Sequence, residues 1–515
     1  MANQLYDALF APHGNSEKTF LELPGGGRFS YRRFLDLAAQ YANALGSLGL
    51  TPGDRLAVQV AKSPQALALY AAAVRAGVIF LPLNTAYTPS EVAYFVENSG
   101  ARVLLCDPAG KAALAPVAAA ARARLLTLAA DGTGSFAEIA AGMPTRFATV
   151  QRGPDDLAAF LYTSGTTGRS KGAMLTHDNL LSNAEVLTRE WRFSATDVLL
   201  HVLPIYHTHG LFVATNCVLL AGASMIFLPK FDTDRVIEAL PRATSMMGVP
   251  TFYTRLLDDP RFTRDLAGHM RLFTSGSAPL LAEIHRAFEE RTGHRILERY
   301  GMTETNMSTS NPYAGPRKAG TVGPPLPGVE LKITHPETGE PLPDGEIGII
   351  EVRGRNVFKG YWQMPEKTAA ELREDGFFIT GDMAYIDEDG YVVIVGRARD
   401  LIITGGFNVY PKEVEEVLDA HPDVLESAVI GVPHPDFGEG VVGVVVPRPG
   451  RRPDPRAILA EAARSLAKFK LPKKTFVVEA LPRNTMGKVQ KNRLREIFAG
   501  AFEEQAKEKG HGSDR

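Results

Sequence analysis

Apolar residues fall into short unbroken runs, separated by stretches in which they recur every three or four positions. The runs "RLAVQV" (55–60), "RVLLC" (102–106), "LAAFLYT" (157–163), "VLLHVL" (198–203) and "SMIFLP" (224–229) predict strands. The stretch "QALALYAAAVRA" (65–76) has the length of a helix and predicts a buried one. Helix-compatible segments lie between several of the runs, and this βα alternation predicts a mostly parallel sheet covered on both faces. After Pro324 the texture changes. "VELKIT", "EIGIIEVRG" and "YVVIVGR" are separated by turn signals such as Asp344-Gly345 and Asp389-Gly390, which predicts an antiparallel β-subdomain. From about Asp400 a small unit follows, with helices near 411–420 and 457–468 and strands near 426–431, 440–447 and 474–480. The tail "EEQAKEKGHGSDR" is polar and expected to fray.

The chain has 515 residues, enough for more than one core. A net charge of -2 argues against a nucleic-acid partner, which calls for a basic face. Cys106 and Cys217 sit in apolar contexts, are expected to be buried thiols, and offer neither a disulfide framework nor metal-ligand spacing. "MANQLYDALF" lacks the basic start and apolar core of a secretory signal, and no run of 18 apolar residues occurs. A cytoplasmic protein with no membrane partner is therefore expected.

"LAAFLYTSGTTGRSKGAMLTH" sets ten Gly, Ser, Thr, Arg and Lys residues, Thr163 to Gly172, after a buried strand. Glycines there can turn N–H groups toward a phosphate, hydroxyls add neutral donors and Lys171 adds a point charge. A Walker A loop would need Gly-Lys-Ser/Thr; here Ser170 precedes Lys171 and Gly172 follows it, so that class is rejected.

Thr163–Gly172 resembles the phosphate loop of the acyl-adenylate-forming enzymes: acyl-CoA synthetases, peptide-synthetase adenylation domains and luciferases. Four further motifs of that family recur in order: Tyr300-Gly301-Met302-Thr303-Glu304, which looks like a nucleotide-site loop; Thr380-Gly381-Asp382; Gly396 to Asp400 followed by Thr404 to Pro411; and Asn484 to Lys488. The resemblance implies an α/β fold: a large N-terminal domain of stacked parallel sheets with an antiparallel β-subdomain (1–398), and a small mobile C-terminal α+β lid (399–503). Residues 504–515 would be a disordered tail.

The implied reaction has two halves. A carboxylate attacks the α-phosphate of ATP, and a thiol, most often CoA, then displaces AMP. The resemblance implies ATP contacts from Thr163, Ser164, Gly165, Thr166, Thr167, Gly168 and Lys171, and from Ser277, Ala278 and Pro279 in the "FTSGSAPL" segment along adenine. Further ATP contacts would come from Glu298, Tyr300, Gly301, Met302, Thr303, Asp382, Arg397 and Lys488. Asp382 would accept from the ribose hydroxyls with both oxygens. Glu304, with Thr163, would hold Mg2+. Thr303, Glu304, His207 and Lys488 would be catalytic. Arg399-Asp400 would be the hinge that withdraws Lys488 and brings Gly405-Gly406 to the CoA tunnel. Lys488 would also be a candidate for regulatory acylation.

Arg299, directly before the YGMTE motif, asks for an anion, because arginine keeps its charge and is costly to bury unpaired. "ERYGMTE" together with His207-Thr208-His209-Gly210 resembles the malonyl-CoA synthetases within the family. Arg299 and His207 would then bind the distal carboxylate of malonate or methylmalonate, with Thr208 and Met307 (or Met302) bounding a small pocket. Arg255 is a weaker third cation. A salt bridge from Arg299 to Glu298 or to the preceding helix is the structural alternative. A monocarboxylate–CoA ligase, and a stand-alone adenylation enzyme that loads a carrier protein, stay open. No acidic residue adjoins the pocket motifs to hold an amino-acid ammonium, which counts against the second. A nucleotide sensor without catalysis is disfavoured by Glu304, Asp382, Arg397 and Lys488 together.

Overall fold

In the computed structural model the chain separates into two compact units, Met1–Glu330 with Val352–Phe378, and Leu331–Glu351 with Ile379–Arg515. The structure describes residues 3–163, 170–484 and 487–502. Ser164, Gly165, Thr166, Thr167 and Gly168 of the expected phosphate loop, and the tail 504–515, lie outside the described residues.

The first unit carries two sheets. One has the order Arg124–Thr127, Val103–Cys106, Arg55–Gln59, Ile79–Pro82, Leu157–Thr163, Lys171–Thr176. Its first five strands are parallel, and the last folds back antiparallel on the fifth, with Thr163 opposite Lys171. The Gly/Ser/Thr segment therefore connects two paired strands. The other sheet has the order Asn306–Ser310, Leu297–Met302, Leu272–Ser275, Ser245–Gly248, Val198–His201, Ser224–Phe227, Thr19–Glu22, Arg28–Ser30. All neighbours are parallel except the outer pair at each end. In such sheets ligands collect at the carboxyl ends of the strands, and His201, Gly248 and Ser275 are those ends here.

The helix Pro64–Ala76 buries every residue but Gln65 and Arg75, which is why its sequence lacks a polar stripe. Ser63 caps its start and Gly77, at φ 69°, ends it. The second unit holds most of a four-stranded sheet, whose last pair Phe378–Ile386 and Val392–Arg397 is antiparallel. It also holds a five-stranded sheet around Val424–His434 and Gly438–Pro447. In the latter, Val429, Val441 and Val445 pack among Val414, Leu418 and Ile458, while Ile430, Val442 and Val444 face Leu494 and Phe502. This two-residue alternation serves two cores at once.

YGMTE departs from its expected loop. Tyr300, Gly301 and Met302 are the end of a strand paired with Asn306–Ser310, with an irregularity between Tyr300 and Gly301. A Cβ at Gly301 would lie 1.8 Å from the Asn306 carbonyl oxygen, so the tight return of the chain requires glycine.

Phe273 anchors the strand that ends at Ser275. Its ring packs edge-on to Phe288 and Tyr253 at 5.1 and 6.4 Å between centroids, in a core with Leu200, Met246 and Ile296. Phe273→Ala is expected to lower stability by about 3–5 kcal/mol in denaturant unfolding. A loss below about 1 kcal/mol would show that this core does not hold the strand in place.

Candidate active site

Arg299 lies on the strand Leu297–Met302 and is only 2% exposed. Among the described residues no hydrogen-bond acceptor meets its Nε or Nη2. These two atoms form one edge of the guanidinium, the edge that a carboxylate grips with both oxygens. Burial pushes the Arg299 pKa down to about 9, opposed by Tyr253 and Glu298, so it remains cationic at neutral pH. The Glu298 charge favours the cation, yet the Nε and Nη2 edge meets no acceptor among the described residues. Successive strand residues point to opposite faces, and Glu298 Oε1 accepts from the Leu280 backbone N–H at 3.2 Å.

Other polar atoms collect around this charge. His207 Nδ1, Thr208 Oγ1 and His209 Nε2 are buried without a hydrogen-bond partner among the described residues. Burial and then the Arg299 charge push His207 to about 4 and His209 well below its ordinary value, so both imidazoles are neutral at pH 7. His209 Nδ1 meets Ser277 Oγ at 3.2 Å, linking the His-Thr-His segment to the Ser-Gly-Ser-Ala-Pro segment. Lys62 donates to His201 Nδ1 at 2.8 Å, which leaves Nε2–H to donate to the Gly210 carbonyl at 2.9 Å. A Cβ at Gly210 would stand 2.0 Å from the Pro204 carbonyl oxygen, so this turn too requires glycine. Met307 is buried and tied through its backbone to Asn183. Arg255 is exposed on the helix Pro250–Leu257 and takes no part.

The second constellation centres on Glu304, which is 4% exposed. Its Oε1 accepts from Thr163 Oγ1 at 3.3 Å and meets the Tyr361 hydroxyl at 3.0 Å. The Tyr361 hydroxyl also lies 2.7 Å from Glu371 Oε2. Burial and the two carboxylates push the phenol pKa up, so it stays protonated. Lys171 does not stand alone as a phosphate charge. It pairs with Glu371 at 3.2 Å and sits 4.1 Å from the Tyr361 ring centre. The donors at Glu304 and Thr163 are oxygens, which fits Mg2+, an ion commonly held through one or two carboxylates with phosphates and water. Tyr300, Met302 and Thr303 lead directly to Glu304 in sequence, whereas Ser277, Ala278 and Pro279 follow the strand Leu272–Ser275. Ser277 adopts φ 71°, rare for a residue with a side chain.

In the second unit, Asp382 and Arg397 are strand partners, and Arg397 Nε grips Asp382 Oδ1 at 2.6 Å. One of the two oxygens expected to face ribose is thus already engaged. Lys488 lies in a turn where its N–H donates to Asn484 Oδ1. Burial, then Arg397, lowers its pKa to about 8, while Asp382 and Asp400 oppose and Arg399 adds to the fall. Asp400 pairs with Arg495 at 2.7 Å. Gly405 and Gly406, at φ 59° and 83°, form the turn between the strands Ile402–Thr404 and Phe407–Val409. A hairpin turn with two positive φ angles accounts for both glycines.

Residues 11–362 match the AMP-binding enzyme family, and residues 413–488 match its C-terminal domain. The chain belongs to the AMP-binding enzyme family. This AMP-binding enzyme is 36% identical to malonate–CoA ligase of Arabidopsis thaliana over 483 residues, 87% of the chain and 78% of that protein. It is also 36% identical to feruloyl-CoA synthase of Amycolatopsis sp over 495 residues, 95% of the chain and 97% of that protein. Equal identity to ligases of a small dicarboxylate and a bulky aromatic acid leaves the acid to be argued from the pocket. Among solved structures, ATP-bound MatB from Rhodopseudomonas palustris superposes with a TM-score of 0.96 at 58% identity, covering 98% of this chain and 100% of that one.

Two groups around Glu304 in this AMP-binding enzyme escaped the motifs: Tyr361 and Glu371. His209 was visible in "HTHG", but nothing in the sequence said which histidine would touch Ser277. Tyr361 meets Glu304 only through the fold, across 57 positions of chain, and Glu371 reaches this centre through Tyr361 and Lys171. Tyr361→Phe should keep the ring against Lys171 and remove the hydroxyl that holds Glu304. A several-fold rise in the Mg2+ concentration needed for half-maximal pyrophosphate release is expected, with unchanged secondary structure by circular dichroism. An unaltered Mg2+ titration would show that Tyr361 does not serve Glu304.

Proposed function

We propose that this AMP-binding enzyme is an AMP-forming malonate–CoA ligase that also accepts methylmalonate. The observation that carries this reading is the buried edge of Arg299, Nε and Nη2, with no acceptor among the described residues. A buried, unneutralised cation is costly, and a dianionic substrate supplies the missing partner. Thr208 Oγ1 and the neutral His207 add donors for the remaining lone pairs of a carboxylate. Buried Thr208 and Met307 would bound the acid pocket and keep it small. The monocarboxylate alternative leaves Arg299 unpaired in the complex and is not favoured.

The chemistry runs in two displacements. An oxygen of the near carboxylate attacks the α-phosphorus of ATP, the bond to pyrophosphate breaks, and malonyl adenylate forms. The CoA sulfur then attacks the acyl carbon, and the C–O bond to AMP breaks. In the first half, charge neutralisation and alignment are what the protein must provide. Arg299 fixes the far end of the acid, so the near carboxylate is presented in one orientation. Bound Mg2+ neutralises phosphate charge, and Glu304 with Thr163 would hold it. Lys488 brings a cation to the reacting carboxylate and α-phosphate, and is withdrawn about Arg399-Asp400 for the thioester half. Asp382 and Arg397 hold the ribose end. The lowered pKa of Lys488 raises its share of neutral amine, the form that an acyl donor modifies.

Pyrophosphate release across a panel of acids, with and without CoA, tests the reading: malonate should lead and methylmalonate follow. Arg299→Leu should cost roughly 3–5 kcal/mol for malonate, on the order of a hundred- to a few-thousand-fold in kcat/KM. Propionate and butyrate should fall far less. Equal losses for malonate and butyrate would make Arg299 structural and sink the dicarboxylate reading.

Lys488 gives a pH test. It is charged below its pKa of about 8 and neutral above it. If the first half needs the ammonium, its kcat/KM should fall as pH rises through about 8. Thioester formation from supplied malonyl adenylate should lack this limb, and Lys488→Ala should abolish the first half while sparing the second. A variant inactive in both halves would refute the two-orientation role.

A further inference from the structure

The Arg299 guanidinium occupies space that exists because position 276 carries no side chain. Gly276 follows the strand Leu272–Ser275, which is hydrogen-bonded to the strand bearing Arg299, with Ser275 opposite Glu298. A Cβ placed on Gly276 would stand 2.3 Å from Arg299 Nη1, 2.4 Å from Cζ and 2.7 Å from Nε. All three atoms belong to one rigid planar group, so none can give way alone. The whole fork would have to move, and with it the Nε edge that faces no acceptor. Backbone geometry does not explain this glycine, since Gly276 is outside the positive-φ region that favours glycine. Gly276 also has no polar atom to offer a substrate beyond its backbone, and its N–H is committed to the Gly248 carbonyl at 3.3 Å. The neighbouring strand ends in Gly248, whose Cβ would meet the Tyr253 ring and hydroxyl at 3.1 Å. Tyr253 is the phenol whose field acts on Arg299. One strand thus ends in Gly248 and its neighbour is followed at once by Gly276, with the arginine and the tyrosine against them.

We infer that Gly276 is a specificity-determining positioning residue: by leaving room for the Arg299 guanidinium, it sets the preference for acids with a distal anionic group over acids that end in a methyl. This rests on the reading of Arg299 as the partner of the distal carboxylate. The chemical class that benefits is a short acid whose far end is a carboxylate, or another small anion that can take two parallel N–H bonds. With any side chain at 276 the fork is displaced, and the pocket loses its anion site while keeping the ATP, Mg2+ and CoA machinery elsewhere.

A double-mutant cycle between Gly276→Ala and Arg299→Leu decides it, with kcat/KM for malonate and propionate read by pyrophosphate release. Gly276→Ala in the wild-type chain should lower the malonate-to-propionate ratio at least about tenfold. In the Arg299→Leu background, where the obstructed group is gone, the same change should alter the ratio less than about twofold. A merely structural glycine would lower both acids by one factor, or its effect would multiply with that of Arg299→Leu; either result overturns the inference. If Arg299→Leu alone left the ratio unmoved, the reading of the acid pocket would fall first, and the inference with it. Should Gly276→Ala fail to fold, the double variant still decides. Recovery of a folded, adenylating protein on removing the guanidinium supports the inference, and a double variant that is equally unfolded contradicts it.

Discussion

A guanidinium that is 2% exposed, with one edge facing no acceptor, is the constraint that organises the first unit. Removing a charge from water costs several kcal/mol unless a partner is supplied, and the strand neighbour Glu298 spends one of its oxygens on the Leu280 N–H. The surroundings are built for a cation that awaits its counter-ion. Two imidazoles held neutral by burial avoid adding like charge, and a threonine hydroxyl and glycines at the strand ends leave room and donors. On the proposed reading the far carboxylate of the acid completes this site. The site favours the ligand that ends the imbalance, which is how a pocket rejects a neutral isostere that fits by shape.

Family membership settles the reaction type and leaves the acid open. Ligases of malonate and of ferulate are equally identical to this chain, so identity to them does not choose the acid, and the proposal rests on Arg299 and its buried neighbours. The groups around Glu304 are separate in kind. Glu304, Thr163, Tyr361, Glu371 and Lys171 form a chain of hydrogen bonds and an ion pair that holds an acidic centre rigid whatever acid is used. In the second unit, the Asp382–Arg397 pair and Lys488 form a third group, in which burial and then two nearby cations lower the Lys488 pKa against two acids that raise it.

Much of the fold could be read from apolar runs, because parallel strands buried on both faces are nearly continuous in Val, Leu, Ile and Ala. Short strands such as Ile79–Pro82, Ser245–Gly248 and Leu272–Ser275 were missed: four residues carry too little pattern, and Ser, Thr and Gly dilute it. "RYGM" misled for another reason. Its glycine signals a loop, yet here it serves the close approach of the Asn306 carbonyl within a strand pair. The glycine pair 405–406 was expected at the CoA tunnel, and its local cause is a hairpin turn with two positive φ angles. Arg299 was legible because charge next to a nucleotide motif is costly wherever it lands. Gly276 and Tyr361 were not, because their significance is an inter-strand clearance and a bond across 57 positions.

The central claim is that the Nε and Nη2 edge of Arg299 receives the far carboxylate of the acid. A crystal structure with a non-hydrolysable malonyl adenylate analogue tests it most directly. The distal carboxylate should lie with both oxygens at about 2.7–2.9 Å from Nε and Nη2. A distal carboxylate turned toward solvent or another cation, with Arg299 still unpaired, would contradict the account.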